Sequence, residues 1–266
     1  MCGAVPEEEE RGVTLKSPAE LEIMRVAGRY VAEILLEVSE AVKPGVSTLA
    51  LDRMVEEAIR RRKAKSPFLG YQPHRGMPPY PASICTSIND EVVHGIPSAK
   101  VILQEGDIIG LDFALIHEGY VADAAVTLPV GKVTKQVQRM LSVGRQALLE
   151  GILRCQPTER LNDIGNAVQT YAEKHKLSVV RDYMGHGVGR QMHEPPSVPN
   201  FGKAGTGIKL RPGMVIAIEP MLNAGAKETK VADDGWTVKT ADGSLSVHFE
   251  HTVAITERGP EILTKL

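Results

Sequence analysis

The chain has 266 residues, of which 42% are hydrophobic and 24% charged, and a formal net charge of −2. Such a chain can bury a sizeable core, and its balance of charge excludes a global field that steers it to nucleic acid or membrane. The three scattered cysteines, Cys2, Cys85 and Cys155, exclude a disulfide framework or a Cys-rich zinc site. No apolar run approaches the roughly 20 residues of a membrane span, and the acidic start lacks the basic and apolar regions of a secretory signal. A reducing cytoplasm is the expected compartment.

Residues 1–16 are acidic without apolar period and read as a flexible N-terminal arm; 17–266 read as a single catalytic domain. Ser17-Pro18-Ala19-Glu20 has the form of a capping box with proline at the first helical position. Leu21, Met24, Val26, Ala27, Val31, Ile34 and Leu35 follow at helical spacing, to a stop near Lys43-Pro44-Gly45. A second helix is predicted from Thr48 to Arg62, ending in the basic run Arg60–Lys65. Residues 66–82 carry Pro67, Pro73, Pro78, Pro79 and Pro81 and read as loop. Strands are predicted at 83–88, 108–116 and 120–130, helices at 135–154 and 160–175, and strands at 179–183, 214–218, 237–240 and 247–255. The order helix, helix, strands thus occurs twice. Gly106-Asp107-Ile108-Ile109-Gly110-Leu111-Asp112 echoes Gly213-Met214-Val215-Ile216-Ala217-Ile218-Glu219, each ending in an acid. This reads as an internal duplication in which both halves donate acids to one centre, with chance similarity of apolar strands as the alternative.

Acids inside apolar strands are the strongest chemical signal. Asp112 lies in Ile-Ile-Gly-Leu-Asp-Phe-Ala-Leu, and Asp123 in Tyr-Val-Ala-Asp-Ala-Ala-Val. A buried carboxylate costs several kcal/mol unless it is paired, hydrogen-bonded or metal-bound. A turn centred between residues 117 and 118 would set Asp112 directly opposite Asp123. Two such carboxylates repel, and a bound cation removes the conflict. Glu219 and Glu250 also sit where strand logic expects apolar residues. Among the histidines, His94, His186 and His193 lie in specific Gly- or Pro-bearing motifs. The glycines flanking His186 are read as letting the backbone approach a ligand. His74, His117, His175, His248 and His251 read as structural or surface residues.

These residues together resemble the methionine aminopeptidases, in their short type I form. The resemblance is carried by Ser87–Pro97, the Asp112 to Asp123 hairpin, Gly185-His186-Gly187-Val188-Gly189, Ile218-Glu219-Pro220-Met221, Asp234–Thr240 and Glu250-His251-Thr252, and runs from about residue 14 to the C-terminus. It implies the pita-bread fold, an α/β (α+β) architecture with a curved antiparallel sheet backed by two helix pairs in pseudo-twofold symmetry. It implies removal of the initiator methionine from nascent proteins, preferably before a small second residue. The implied metal ligands are Asp112, Asp123, His186, Glu219 and Glu250, with Asp123 and Glu250 bridging two divalent ions. Mn, Fe, Co or Zn all suit such a set, and paired ions would activate water and polarise the scissile carbonyl. Glu219 would shuttle the proton, His193 would meet the carbonyl oxygen as charge develops there, and His94 would hold the peptide beyond the scissile bond. Tyr71, Tyr80, Cys85, Met192 and Trp236 match the methionine pocket. Met192 departs from the family, where an aromatic residue is common, and the loop 72–79 is longer than in its shortest members. The resemblance also implies a monomer.

Two rivals share the fold. Xaa-Pro peptidases keep a similar ligand set but usually carry a further N-terminal domain, for which this chain has no room. Non-catalytic relatives typically lose ligands, and here every ligand position is filled. The run Arg60–Lys65 reads as the solvated end of a helix, the alternative being weak ribosome association through ribosomal RNA.

Overall fold

The computed structural model describes residues 12–266; most of the expected arm, residues 1–11, lies outside the described residues. Beside it Lys16 is buried, its Nζ 2.9 Å from Glu194 Oε2, and its amide donates to the Gly213 carbonyl. The helices are α1 (Pro18–Glu40), α2 (Thr48–Arg61), α3 (Lys135–Ile152) and α4 (Leu161–Lys174). The capping box forms as read: Ser17 N–H donates to Glu20 Oε2, and Glu20 N–H donates back to Ser17 Oγ. No helix among the described residues is long and apolar enough to cross a membrane.

The first seven strands are β1 (Cys85–Ile88), β2 (Glu91–Val93), β3 (Ile108–His117), β4 (Tyr120–Pro129), β5 (Ser178–Val179), β6 (Gly185–Gly187) and β7 (Glu194–Val198). They are followed by β8 (Val215–Ile218), β9 (Met221–Asn223), β10 (Thr229–Val231), β11 (Val238–Thr240), β12 (Ser246–His248), β13 (Glu250–Thr256) and β14 (Gly259–Ile262). The main sheet is antiparallel in the order β1-β3-β4-β13-β8-β6-β7, with β14 also on β13. Its centre falls between β4 and β13. Working outward, β3 is matched by β8 and β1 by β6, so the faint sequence echo becomes a pseudo-twofold arrangement, the pita-bread fold. The predicted strand 247–255 is broken at Phe249 into β12 and β13, and 179–183 contracts to Ser178–Val179. Strands β2, β6, β7, β9, β10 and β14 were not predicted; each has only three to five residues, and a period registers weakly over so short a run.

One register differs from expectation. Glu118 and Gly119 both have positive φ, +48° and +80°, and form a two-residue hairpin loop closed by His117 and Tyr120. The turn centre therefore lies one residue later than assumed. Asp112 pairs with Ala125, and Asp123 pairs with Ala114. A two-residue shift keeps both acids on the same face.

That face is set by the period of two. Ile109, Leu111, Phe113 and Leu115 of β3 and Ala122 and Ala124 of β4 are buried in one core with Ala27, Val31 and Ile34 of α1 and Leu51 and Val55 of α2. Ile216 and Ile218 of β8 and Val253 and Ile255 of β13 form a second core with α3 and α4. Residues of opposite parity, Asp112, Asp123, Ala217 and Glu250 among them, point to the other side. The basic run at the end of α2 is largely matched by acids: Arg60 pairs with Glu57, Arg61 with Glu37, and Arg62 with Glu33 and Glu37 of α1.

Candidate metal centre

One row of ladder partners crosses the sheet: Cys85 on β1, Asp112 on β3, Ala125 on β4 and Glu250 on β13. Continuing the β13–β8 register by one residue sets Glu219 opposite Glu250. Ala125 sits in the middle of this row, and its small side chain leaves the space between the acids open. Asp123 is one step along β4 on the same face, tied to β13 because its N–H donates to Thr252 Oγ1 while the Thr252 hydroxyl donates to its carbonyl.

Asp112, Asp123, His186, Glu219 and Glu250 line one cavity of about 340 Å³. Ligand atoms of Asp123, His186 and Glu250 lie within 4.8 Å of one another. Burial pushes all four carboxylates above their ordinary range, Asp123 to about 7. For Asp112, Glu219 and Glu250 the charges of neighbouring acids add to that push. Asp112 Oδ1, Asp123 Oδ1 and Glu250 Oε1 are buried without any hydrogen-bond partner. Buried acceptors of this kind are normally satisfied, and carboxylate oxygens that converge on one space with an imidazole are the donor set of a divalent metal.

His186 Nδ1 is 3.0 Å from the Gly187 carbonyl. A carbonyl only accepts, so Nδ1 carries the proton and Nε2 offers its lone pair, 3.5 Å from Glu219 Oε1. Burial, then His193, holds the His186 pKa down at about 3, which keeps the ring neutral. The flanking glycines have a different purpose from the one read in the sequence. A Cβ on Gly185 would stand 2.2 Å from the Ala217 carbonyl oxygen, and one on Gly187 2.2 Å from that of Pro195. They let β6 fit closely between β8 and β7.

His193 Nδ1 meets the Tyr71 hydroxyl at 2.8 Å, and its ring stands edge-on to His186 with centroids 4.4 Å apart. His94 has φ +60° and is held neutral by burial, then by His193, with its pKa at about 4. Both line the cavity with the expected pocket residues Tyr71, Tyr80, Cys85, Met192 and Trp236. Tyr80 donates to the Gly95 carbonyl and packs edge-on against Trp236. Trp236 Nε1–H donates to the Pro78 carbonyl at 2.8 Å, so the long loop 72–79 is fastened at the cavity, where it contributes Pro73, His74 and Met77.

Sequence reasoning missed several residues. His74 and Phe68 line the cavity. His248, read as structural, is buried with Nε2 3.7 Å from Glu219 Oε2. Burial, then His94, lowers its pKa to about 3. The available signal was spacing: His248, Glu250 and Thr252 share one parity. Of the other histidines read as structural, His117 packs edge-on to Tyr30, His175 packs on Tyr171, and His251 meets Thr264 Oγ1 at 2.9 Å.

A profile of metallopeptidase family M24 matches residues 22–257. Methionine aminopeptidase 1 of Bacillus subtilis is 46% identical over 254 residues, covering 96% of this chain and 100% of that protein. The crystal structure of methionine aminopeptidase from Thermotoga maritima superposes with a TM-score of 0.92 at 41% identity, covering 96% of this chain and 100% of that one. The Xaa-Pro dipeptidase of Bacillus anthracis shares the fold alone, with a TM-score of 0.73 at 21% identity, covering 99% of this chain and 65% of that one.

Proposed function

From the premise that this chain belongs to metallopeptidase family M24, and within it to the type I methionine aminopeptidases, we propose that Asp112, Asp123, His186, Glu219 and Glu250 hold two divalent cations at its active site. The enzyme hydrolyses the first peptide bond of proteins and so removes the initiator methionine. The observation that carries the metal reading is the trio of orphaned buried oxygens on Asp112, Asp123 and Glu250. Two cations match the charge of the four ionised carboxylates, and one imidazole among them suits Mn, Fe, Co or Zn. Bound there, the ions supply Lewis-acid polarisation of the scissile carbonyl and make water acidic enough to attack near neutral pH.

The protein's own groups do the rest. Glu219 takes the proton of the attacking water and delivers it to the leaving nitrogen; a buried carboxylate holds a proton more readily than an exposed one. The Tyr71 hydroxyl lies 2.8 Å from His193 Nδ1; with the hydroxyl as donor there, Nε2–H donates to the carbonyl oxygen as it gains charge. Neutral His94 holds the peptide beyond the scissile bond. Tyr71, Tyr80, Cys85, Met192 and Trp236 enclose the methionine side chain, whose burial contributes about 1.5–3 kcal/mol. With the chain of the second residue held against these walls, a small residue is preferred there. Residues 17–266 work as one catalytic domain, because both helix pairs back the sheet from which the ligands come. The substrates are nascent polypeptide N-termini. The acids facing Arg60, Arg61 and Arg62 weaken the ribosome-docking reading.

The test is hydrolysis of Met-Ala-Ser beside Gly-Pro by protein loaded with Mn, Fe or Co, with and without chelator. Chelator-sensitive release of methionine from the tripeptide is expected, with Asp112→Asn, which removes a ligand oxygen, lowering it by at least the roughly 10- to 100-fold that loss of an outer-shell partner costs. Cleavage of Gly-Pro alone would move the chain to the Xaa-Pro branch.

A further inference from the structure

We propose that His248 is a positioning residue for Glu219: its Nε2–H donates to Glu219 Oε2 and so fixes which carboxylate oxygen faces the metal. This rests on the reading of Glu219 as ligand and proton carrier. His248 is 3% exposed, and its Nε2 is a buried nitrogen with no hydrogen-bond partner. Glu219 Oε2 lies 3.7 Å from it, while the other oxygen, Oε1, lies 3.5 Å from His186 Nε2. Each oxygen of Glu219 therefore faces a different imidazole.

The two rings meet it in opposite states. His186 has its proton on Nδ1, held by the Gly187 carbonyl, and offers a lone pair. A hydrogen bond from His248 to the ionised Oε2 requires the proton on Nε2, the opposite tautomer from His186. Closing to a normal hydrogen bond takes a movement of about 0.8 Å. The His248 backbone is fixed and cannot withdraw the ring. Its N–H donates to Thr127 Oγ1 at 2.8 Å, the Thr127 hydroxyl donates to its carbonyl at 2.7 Å, and it pairs with Met221, two residues beyond Glu219. A hydrogen bond to the outer oxygen stops the carboxylate from rotating and keeps Oε1 toward the His186 side. Orienting contacts to ligating carboxylates affect both metal affinity and rate.

Three measurements on the full chain test this. In Zn-loaded protein labelled with 15N-histidine, assigned with His248→Gln, the His248 signal is expected as the Nε2–H tautomer. A proton on Nδ1 with bare Nε2 overturns the proposal and makes His248 a further ligand. By calorimetry with Mn(II) alone, His248→Ala weakens binding by about 10-fold. On Met-Ala-Ser the same variant lowers kcat by about 10- to 100-fold with KM little changed, and His248→Gln, whose amide also donates, recovers most of both losses. Unchanged affinity and kcat in His248→Ala overturn the proposal, as does a Gln variant as poor as Ala. If the wild type releases no methionine, the functional reading fails, while the tautomer and the Mn(II) affinity still decide the role of His248.

Discussion

Single residues in the wrong environment made the site legible. Asp112 and Asp123 announced themselves because an acid in a run such as Ile-Ile-Gly-Leu-Asp-Phe violates the cost of burying charge. His248 did not, because a histidine in a strand violates nothing. Only its shared parity with Glu250 pointed inward, and its distance from Glu219 needed coordinates. The same burial makes the metal-free protein sensitive to pH in two directions. The carboxylates have folded pKa values above their unfolded ones, Asp123 at about 7 and Asp112, Glu219 and Glu250 raised also. In that case the folded state binds more protons and stability falls as pH rises beyond the ordinary carboxylate range. His94 and His251, near 4, and His186 and His248, near 3, are depressed. Their neutral forms stabilise the fold above the unfolded value of about 6.5, and that contribution is lost as pH falls toward their folded values. Above pH 6.5 only the carboxylates still act. With chelator present, the melting temperature should peak near pH 6 to 7 and decline on the alkaline side. Saturating Mn(II) should remove the decline, since it binds the ionised carboxylates, and Asp112→Asn, which removes a group raised well above its ordinary value, should reduce it. Calorimetric scans from pH 5 to 9 check this; an apo melting temperature that keeps rising to pH 9 would contradict it.

At the scale of elements, helices were read to within a few residues, because caps and a long apolar period mark them twice. The Ser17 capping box opens α1 where the sequence places it, and the second helix, predicted to Arg62, ends at Arg61. Several short strands were unreadable. β6 is three residues, Gly-His-Gly, with no period and poor strand propensity; it exists because its neighbours leave a slot with no room for Cβ atoms. Gly185→Ala should therefore push β6 away from β8 and carry His186 with it. Overpacking of this kind costs about 1–3 kcal/mol, and a urea midpoint lowered together with Mn(II) affinity would reveal both effects. Unchanged metal affinity would mean that β6 can shift without moving its histidine. The hairpin register depended on the conformation of Glu118, a non-glycine residue at φ +48°. Sequence favours Gly at such positions and marked only Gly119, which is why the predicted pairing of Asp112 with Asp123 was two residues off while the face was right.

For the whole molecule, the duplication was faint as sequence and plain as topology, because the repeated quantity is strand order and parity, which many apolar sequences satisfy. Asp112 and Asp123 come from one half, His186, Glu219 and Glu250 from the other, and the halves meet where β4 lies beside β13. Gly131 and Lys132, between β4 and α3, are exposed. A chain cleaved there should yield two fragments that recombine into active enzyme in Mn(II) and separate on chelation, as followed by size-exclusion chromatography; fragments that stay together in chelator would show the apolar interface to be sufficient alone. The row Cys85, Asp112, Ala125, Glu250 has a consequence for folding itself. A slip of one residue in any of these ladders would turn an acid toward the helices and an aliphatic residue toward the cavity. A misregistered chain would thus lose core and the proposed cation site together, so metal binding would act as a proofreader that rewards only the correctly paired sheet.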